Sequence, residues 1–279
     1  MEYIEIIFEI TSSDQSEIIV ALMEQLKFEG FEEEESQLKG YIKKELFDQN
    51  LFNNIIEQNN LIYCISNVKE KNWNEIWESG FDPVNILYLD SDQIFAHVRA
   101  FFHEPFSNAT YDLLITPKMS FGTGHHATTF QMMQQMSLID FIRKNVIDFG
   151  SGTGLLSVLA EKMGASSVLA IDNDPWSIEN SKENLIANHC NKIEIVKAET
   201  CLMALNKADI LLANINLNVI IENLDNIIDS CLPQAVILFS GILVDDEAQI
   251  THELARKSIQ INKIEKKENW LVLHCNAPE

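Results

Sequence analysis

Val146-Ile147-Asp148-Phe149-Gly150-Ser151-Gly152-Thr153-Gly154 is an apolar run that ends in a carboxylate and passes into three glycines at alternate positions. Leu155-Leu156-Ser157-Val158-Leu159-Ala160 then follows with an apolar pattern that suits a helix. The stretch predicts a strand, a tight turn and a helix, the opening of an α/β unit. Glycine is the residue for such a turn, because a backbone that approaches a nucleotide-sized ligand needs φ > 0 and has no room for a Cβ.

The third glycine comes two residues after the second, giving GxGxG. A dinucleotide fold expects GxGxxG, with the pyrophosphate on the helix N-terminus. The shorter variant suits S-adenosylmethionine, which has no pyrophosphate and whose amino-acid tail and ribose need close backbone approach. The next apolar run, Val168-Leu169-Ala170-Ile171, ends in Asp172, where a carboxylate is placed to accept both ribose hydroxyls. The ordinary alternative for Asp172 is a helix cap before Pro175, a place that Asn173 or Asp174 fills equally well. A third strand-end signal is Asp209-Ile210-Leu211-Leu212-Ala213-Asn214, whose apolar core suits a buried parallel strand. Asp148, Asp172 and Asn214 thus end three successive expected strands, at the edge where open α/β sheets bind ligands. Asn214 also has a plain reading as a turn residue that bonds its own backbone.

The 279 residues suffice for one large or two modest domains, and a 46% hydrophobic content is that of a chain with a real core. The formal charge of -22 argues against a surface that neutralises phosphates, so no direct nucleic-acid partner is expected; a basic protein partner is favoured instead. Acidic composition also serves solubility, so the charge only tilts the reading. Cys64, Cys190, Cys201, Cys231 and Cys275 are scattered without a CxxC, which predicts buried thiols in a reducing compartment. The N-terminus alternates apolar and polar residues without a basic leader and reads as a strand, and no apolar run is long enough to span a bilayer. A cytoplasmic protein is expected.

The first third predicts a strand at about 3–10, a helix at about 14–28, a strand pair at about 31–44, a helix at about 48–59 and a strand at about 61–68. That βαββαβ order is ferredoxin-like. Glu32 to Glu35 form an acidic run that reads equally as a solvated edge or a docking patch. Trp73, Trp77 and Phe81 share one face of a short linker helix, where packing is the ordinary role. Residues 85–116 suggest an accessory hairpin, and from 146 onward strands and helices alternate to a terminal antiparallel pair at about 258–265 and 269–275.

The first glycine segment of the chain, Met119-Ser120-Phe121-Gly122-Thr123-Gly124-His125-His126-Ala127-Thr128-Thr129, precedes the turn at 150–154, the second, by about 20 residues. With this FGTGxHxTT segment, DxGxGxG, the acidic strand end and the strand-end Asn in order, the chain resembles the ribosomal protein methyltransferase A (PrmA) family over nearly its whole length. The resemblance implies an α/β protein: a Rossmann-like seven-stranded methyltransferase sheet with a small N-terminal ferredoxin-like domain. The expected bounds are residues 1–68 for substrate recognition, 69–84 for the linker helix and 85–279 for the S-adenosylmethionine-dependent domain. It further implies methyl transfer to lysine ε-amines and the N-terminal α-amine of the eleventh protein of the large ribosomal subunit, a basic substrate. A monomer with no membrane partner is expected.

By resemblance Thr129, Gly150, Asp172 and Asn214 look like cofactor contacts, and Gly152 and Gly154 complete the loop. The chain departs from the family pattern at Ile215-Asn216-Leu217-Asn218, where small residues and a proline are common. On chemical grounds, the Asn214 oxygen, with Thr128 or backbone carbonyls, orients an amine, and His126 is the one candidate base in the loop, with capping as its alternative. Neither His125 nor His126 stands at metal-ligand spacing, so no metal is expected. The alternative readings are an amino-methyltransferase acting on another protein or on a nucleobase; the nucleobase enzymes follow their strand-end Asn with Pro-Pro-aromatic to stack a flipped base. A dehydrogenase is disfavoured by GxGxG, and a non-enzymatic cofactor scaffold by Thr128, Thr129 and Asn214.

Overall fold

Alternate residues of Gln37–Lys43 are buried and half-buried in strict succession, the period-two signature of a strand with one face on a core. A computed structural model describes residues 3–10, 13–24, 26, 28, 30–34, 36–59, 61–68, 81–89, 91–116, 122–201 and 207–279. The chain separates into two compact units, Met1–Ile76 and Trp77–Glu279.

The first unit runs β1 (Tyr3–Glu9), α1 (Ser13–Glu24), β2 (Gly30–Glu34), β3 (Gln37–Lys43), α2 (Gln49–Asn59) and β4 (Tyr63–Val68). Its sheet has the order β2-β3-β1-β4 with every neighbouring pair antiparallel. Ile6, Phe8, Leu38 and Ile42 from the strands meet Ile19 and Met23 of α1 and Phe52 of α2 in one core. Asp48 caps α2 by accepting from the backbone N–H groups of Asn50 and Leu51. Helix α1 stops at Glu24, short of the expected 28, and Phe28 instead stacks on Phe31 at 5.8 Å. Gly40 lies under these rings, since a Cβ there would meet Phe28 Cδ1 at 2.9 Å. The acidic Glu32, Glu33 and Glu34 stand on the edge strand β2.

Residues 69–80 of the expected linker helix, with Trp73 and Trp77, lie outside the described residues; Phe81 is buried and a strand already begins at Val84. The larger unit opens with β5 (Val84–Leu87), β6 (Ile94–Ala100) and β7 (Ala109–Ile115). β5 and β6 form the expected hairpin, but β7 adds a third strand parallel to β6. The chain therefore returns along β6 through residues 101–108, a connection far shorter than the dozen or more residues usual for a parallel pair.

The main body follows with α3 (Ala127–Met136), β8 (Asn145–Phe149), α4 (Leu155–Lys162), β9 (Ser167–Asp172), α5 (Pro175–Ala187), β10 (Ile193–Lys197), β11 (Ala208–Asn214) and α6 (Leu217–Ser230). It ends with β12 (Cys231–Leu243), α7 (Glu247–Arg256), β13 (Gln260–Lys267) and β14 (Trp270–Asn276). The sheet order is β10-β9-β8-β11-β12-β14-β13, parallel up to β12, with β14 antiparallel to both its neighbours. Val146 to Phe149 are all buried because successive side chains enter different cores. Val146, Leu212 and Leu238 pack with Met132 and Met136 of α3 and Val158 and Leu159 of α4. Ile147, Leu211 and Ile237 pack with Ile220 and Leu224 of α6 and Ile250 and Leu254 of α7.

Cys201, Cys231 and Cys275 are buried, whereas Cys190 is half-buried and Cys64 is exposed. The expectation of buried thiols fails at Cys64 because it lies on the edge strand β4. Among the described residues, no helix is long and apolar enough to cross a membrane.

Candidate active site

From β8 the chain winds outward through β9 to β10, then returns to place β11 on the other side of β8. The strand order reverses there, and open α/β sheets bind ligands at the carboxyl ends of strands beside such a reversal. Asp172 and Asn214 come level with Gly150 at this edge for that reason, whereas Asp148, expected beside them, lies one residue inside the end of β8, level with Ala170 and Leu212. Their strands are not successive in the chain, as the sequence suggested, because β10 intervenes; it sits at the sheet edge and leaves β9, β8 and β11 adjacent.

A cleft of about 300 Å³ opens at this edge. Gly150, Gly152, Asp172 and Asn214 line it together, and Thr129 joins them through Asn214. Gly150 has φ +77°, and a Cβ on it would collide with Cγ2 of Ile215. The backbone N–H groups of Gly150 and Ser151 both donate to the Ile171 carbonyl, at 2.8 and 3.0 Å, which folds the turn over the end of β9.

Asp172 accepts from the Gly152 N–H at 2.7 Å through one oxygen and from the Asp174 N–H at 3.0 Å through the other. The cap of α5 is Asp174, which accepts from Trp176 and Ser177 N–H. Asp172 is thereby released from capping and stays half-exposed at the cleft wall. Behind it, Asp148 is fully buried and accepts from the Ser157 hydroxyl at 2.6 Å, while its other oxygen has no hydrogen-bond partner. Burial raises its pKa to about 7, and the neighbouring Asp172 charge pushes the same way.

Asn214 is buried, and its Nδ2 donates to Thr129 Oγ1 at 3.2 Å. That contact fixes the amide and leaves Oδ1 without a partner. A buried unpaired carbonyl oxygen is costly unless something supplies a donor. Oδ1 keeps its capacity to accept a hydrogen bond.

Gly154, Thr128 and His126 do not line this cleft. Gly154 starts α4, where a Cβ would sit 2.5 Å from Ser181 Oγ. His126 caps α3, with Nδ1 accepting from the Thr128 N–H at 3.3 Å and lying 2.8 Å from Thr128 Oγ1. Thr128 is wholly buried by that cap, and the residue that meets Asn214 is Thr129, one step further round the helix. Of the first glycine segment, Met119, Ser120 and Phe121 lie outside the described residues. Gly122 is tied to the second loop, its carbonyl accepting from Thr153 Oγ1 at 2.7 Å.

Sequence reading missed Asn173, Ser177, Glu199 and Val219 as lining residues. Glu199 follows the end of β10 by two residues, a strand-end acid obscured by the polar, half-exposed pattern of that strand. The unusual Ile215-Asn216 pair has a local cause: Ile215 fills the space that Gly150 leaves open, and Asn216 caps α6 by accepting from Val219 N–H at 3.1 Å.

A parallel sheet with a strand-order reversal, a glycine turn on one strand and a carboxylate on the next defines the nucleoside-binding open α/β class, here that of the S-adenosylmethionine-dependent methyltransferases. The family model described as ribosomal protein L11 methyltransferase (PrmA) matches residues 7–278, and the chain belongs to that family. A ribosomal protein L11 methyltransferase of Phocaeicola vulgatus is 32% identical, the match covering 97% of each chain. One of Chlorobaculum tepidum is 35% identical over 96% of this chain and 94% of its own. The crystal structure of a ribosomal protein L11 methylase from Lactobacillus delbrueckii subsp. bulgaricus shares the fold, with a TM-score of 0.64 at 24% identity over 71% of this chain and all of that one.

Proposed function

We propose that the chain methylates ribosomal protein L11, moving methyl groups from S-adenosylmethionine to lysine ε-amines and the N-terminal α-amine. The observation that carries this reading is the Asn214 amide beside the glycine cleft, whose Nδ2 is held by Thr129 while Oδ1 has no partner. Asp172 takes the ribose hydroxyls, Gly150 and Gly152 admit the cofactor to the backbone, and Gly154 sets the start of the helix behind them. Thr129 acts through Asn214, while His126 and Thr128 hold the first turn of α3 in place. A bound S-adenosylmethionine supplies an already activated methyl, so the protein's task is alignment and exclusion of water. A lysine amine, with an ordinary pKa of about 10.4, must be neutral to attack. Desolvation favours that form, and Asn214 Oδ1 accepts its N–H so that the lone pair faces the methyl.

The N-terminal unit, ferredoxin-like over residues 1–68 with its β2-β3-β1-β4 order, docks the substrate; residues 69–84 link it to the methyltransferase domain at 85–279, a Rossmann-like sheet of seven strands. The chain works as a cytoplasmic monomer without direct nucleic-acid contact, in keeping with its charge of -22. A nucleobase acceptor is disfavoured because the residue after Asn214 is Ile215, packed against the glycine turn, where base stacking needs an exposed aromatic. Incubation with methyl-labelled S-adenosylmethionine and purified L11 is expected to label L11 at lysines and the α-amine. An unlabelled L11, beside a control enzyme that labels it, overturns the substrate.

A further inference from the structure

Phe101 and Phe102 are 67% and 43% exposed at the start of the connection between the parallel strands β6 and β7. They are the two central residues of a turn closed by the His103 N–H donating to the Ala100 carbonyl at 3.1 Å. Such places ordinarily hold Gly, Asn, Asp, Pro or Ser, which fit the backbone and are wetted without cost. Here two phenylalanines stand in edge contact, their centroids 5.2 Å apart.

The turn is clamped. The Ala100 N–H donates to His103 Nδ1 at 3.2 Å, and Arg99 Nη1 donates to the His103 carbonyl at 2.9 Å. Arg99 is buried, and its fork is fixed by Asp112 on β7 at 2.7 to 2.9 Å. Ordering has thus been completed before any partner arrives, the condition under which exposed aromatics become strong contacts.

The position of the pair selects the partner. Phe102 packs on His103 at 4.4 Å, His103 on Phe81 at 6.2 Å, and Phe81 on His125 at 4.7 Å. This row of rings runs from the turn to the first glycine loop, whose helix α3 carries Thr129 to Asn214. We infer that Phe101 and Phe102 form a rigid aromatic prong that grips the basic protein substrate beside the loop where its amine enters. This rests on the proposed methylation of L11. Charge complementarity favours that occupant over a second copy, since this chain carries -22 and follows the prong with Glu104.

The test compares the full chain with the Phe101→Ser, Phe102→Ser double variant and with the Phe101→Leu, Phe102→Leu pair. For the serine variant, KM for L11 is expected to rise about tenfold with kcat within about twofold, as for loss of a binding hot spot. S-adenosylhomocysteine affinity and the melting temperature stay as in the parent, and the leucine pair recovers part of KM. If the parent methylates L11 and the serine variant keeps its KM, the prong is wrong while the function stands. If the parent binds S-adenosylhomocysteine but neither binds nor methylates L11, the substrate is wrong and the prong loses its occupant. If sedimentation shows a parent dimer that the serine variant dissolves, the surface joins two copies and the inference is overturned.

Discussion

Gly150 to Gly154 is seated on the end of the adjacent strand β9, whereas Gly122 to Thr129 is tied to several separate elements of the chain. The later loop bonds to Ile171 and Asp172, both at the end of the adjacent strand. The earlier one reaches Thr153 through Gly122, Phe81 through His125, and Asn214 through Thr129, an interval of 85 residues. On the proposed function, the loop seated on one strand end cradles the cofactor, and the loop tied to several elements brings Thr129 to Asn214.

Changes in the later loop are therefore expected to act first on cofactor binding and fold, and those in the earlier one on turnover. The largest effect is expected for Gly150→Ala. Its Cβ collides with Ile215 in a backbone of φ +77°, and a loss of about 3 kcal/mol in stability, with cofactor binding abolished, is expected in thermal unfolding and calorimetry. Retained binding would break the cradle account. Asn214→Ala is expected to lower turnover about a hundredfold by removing the oriented acceptor. Thr129→Val, which only frees the amide to rotate, should cost about tenfold; equal losses would mean that Thr129 acts directly on a ligand.

Asp172→Ala is expected to weaken S-adenosylhomocysteine binding about tenfold by removing charge-assisted bonds to the ribose, and calorimetry reads this directly.

The buried Asp148 carboxyl makes stability depend on pH. Its carboxyl is raised from the ordinary 3.8 to about 7, so the folded state holds a proton that the unfolded state has lost. Stability contributed by that protonated form is present at low pH and falls as pH rises from about 4 through 7. The gap in melting temperature between Asp148→Asn and the parent should widen in favour of the variant across that window. A cationic cofactor favours the ionised carboxylate, so the parent's affinity should rise through pH 7 while that of Asp148→Asn stays flat. Parallel pH profiles would show that the buried Asp148 charge does not act on the bound cofactor.

The smallest effect is expected for His126→Ala. Loss of a cap costs about 1 kcal/mol, with cofactor affinity unchanged. A step in kcat against pH that the parent shows and this variant lacks would instead restore His126 as a base.

The glycine turn, its carboxylate and the strand-end Asn were legible in the chain because each is local: a run of apolar residues ends and a glycine, acid or amide follows. Local reading misjudged what depends on packing from elsewhere. It set Thr128 beside Asn214 to orient the amine and gave Thr129 to the cofactor, yet Thr128 turns under the His126 cap and Thr129 is the one that meets Asn214. It saw a hairpin at 85–116 and missed the third strand, β7, which pairs with β6 and is tied to it by Arg99 and Asp112.

By itself the sequence determined the α/β succession, the position of the cofactor turn and the family, since periodicity and glycine chemistry act over a few residues. Only the tertiary structure decided which strand ends stand together and which threonine reaches the amide. It also decided that Asp174, not Asp172, caps the helix, and that two phenylalanines are held out to solvent. Those outcomes follow from strand order and side-chain direction, which are set by packing across the whole sheet.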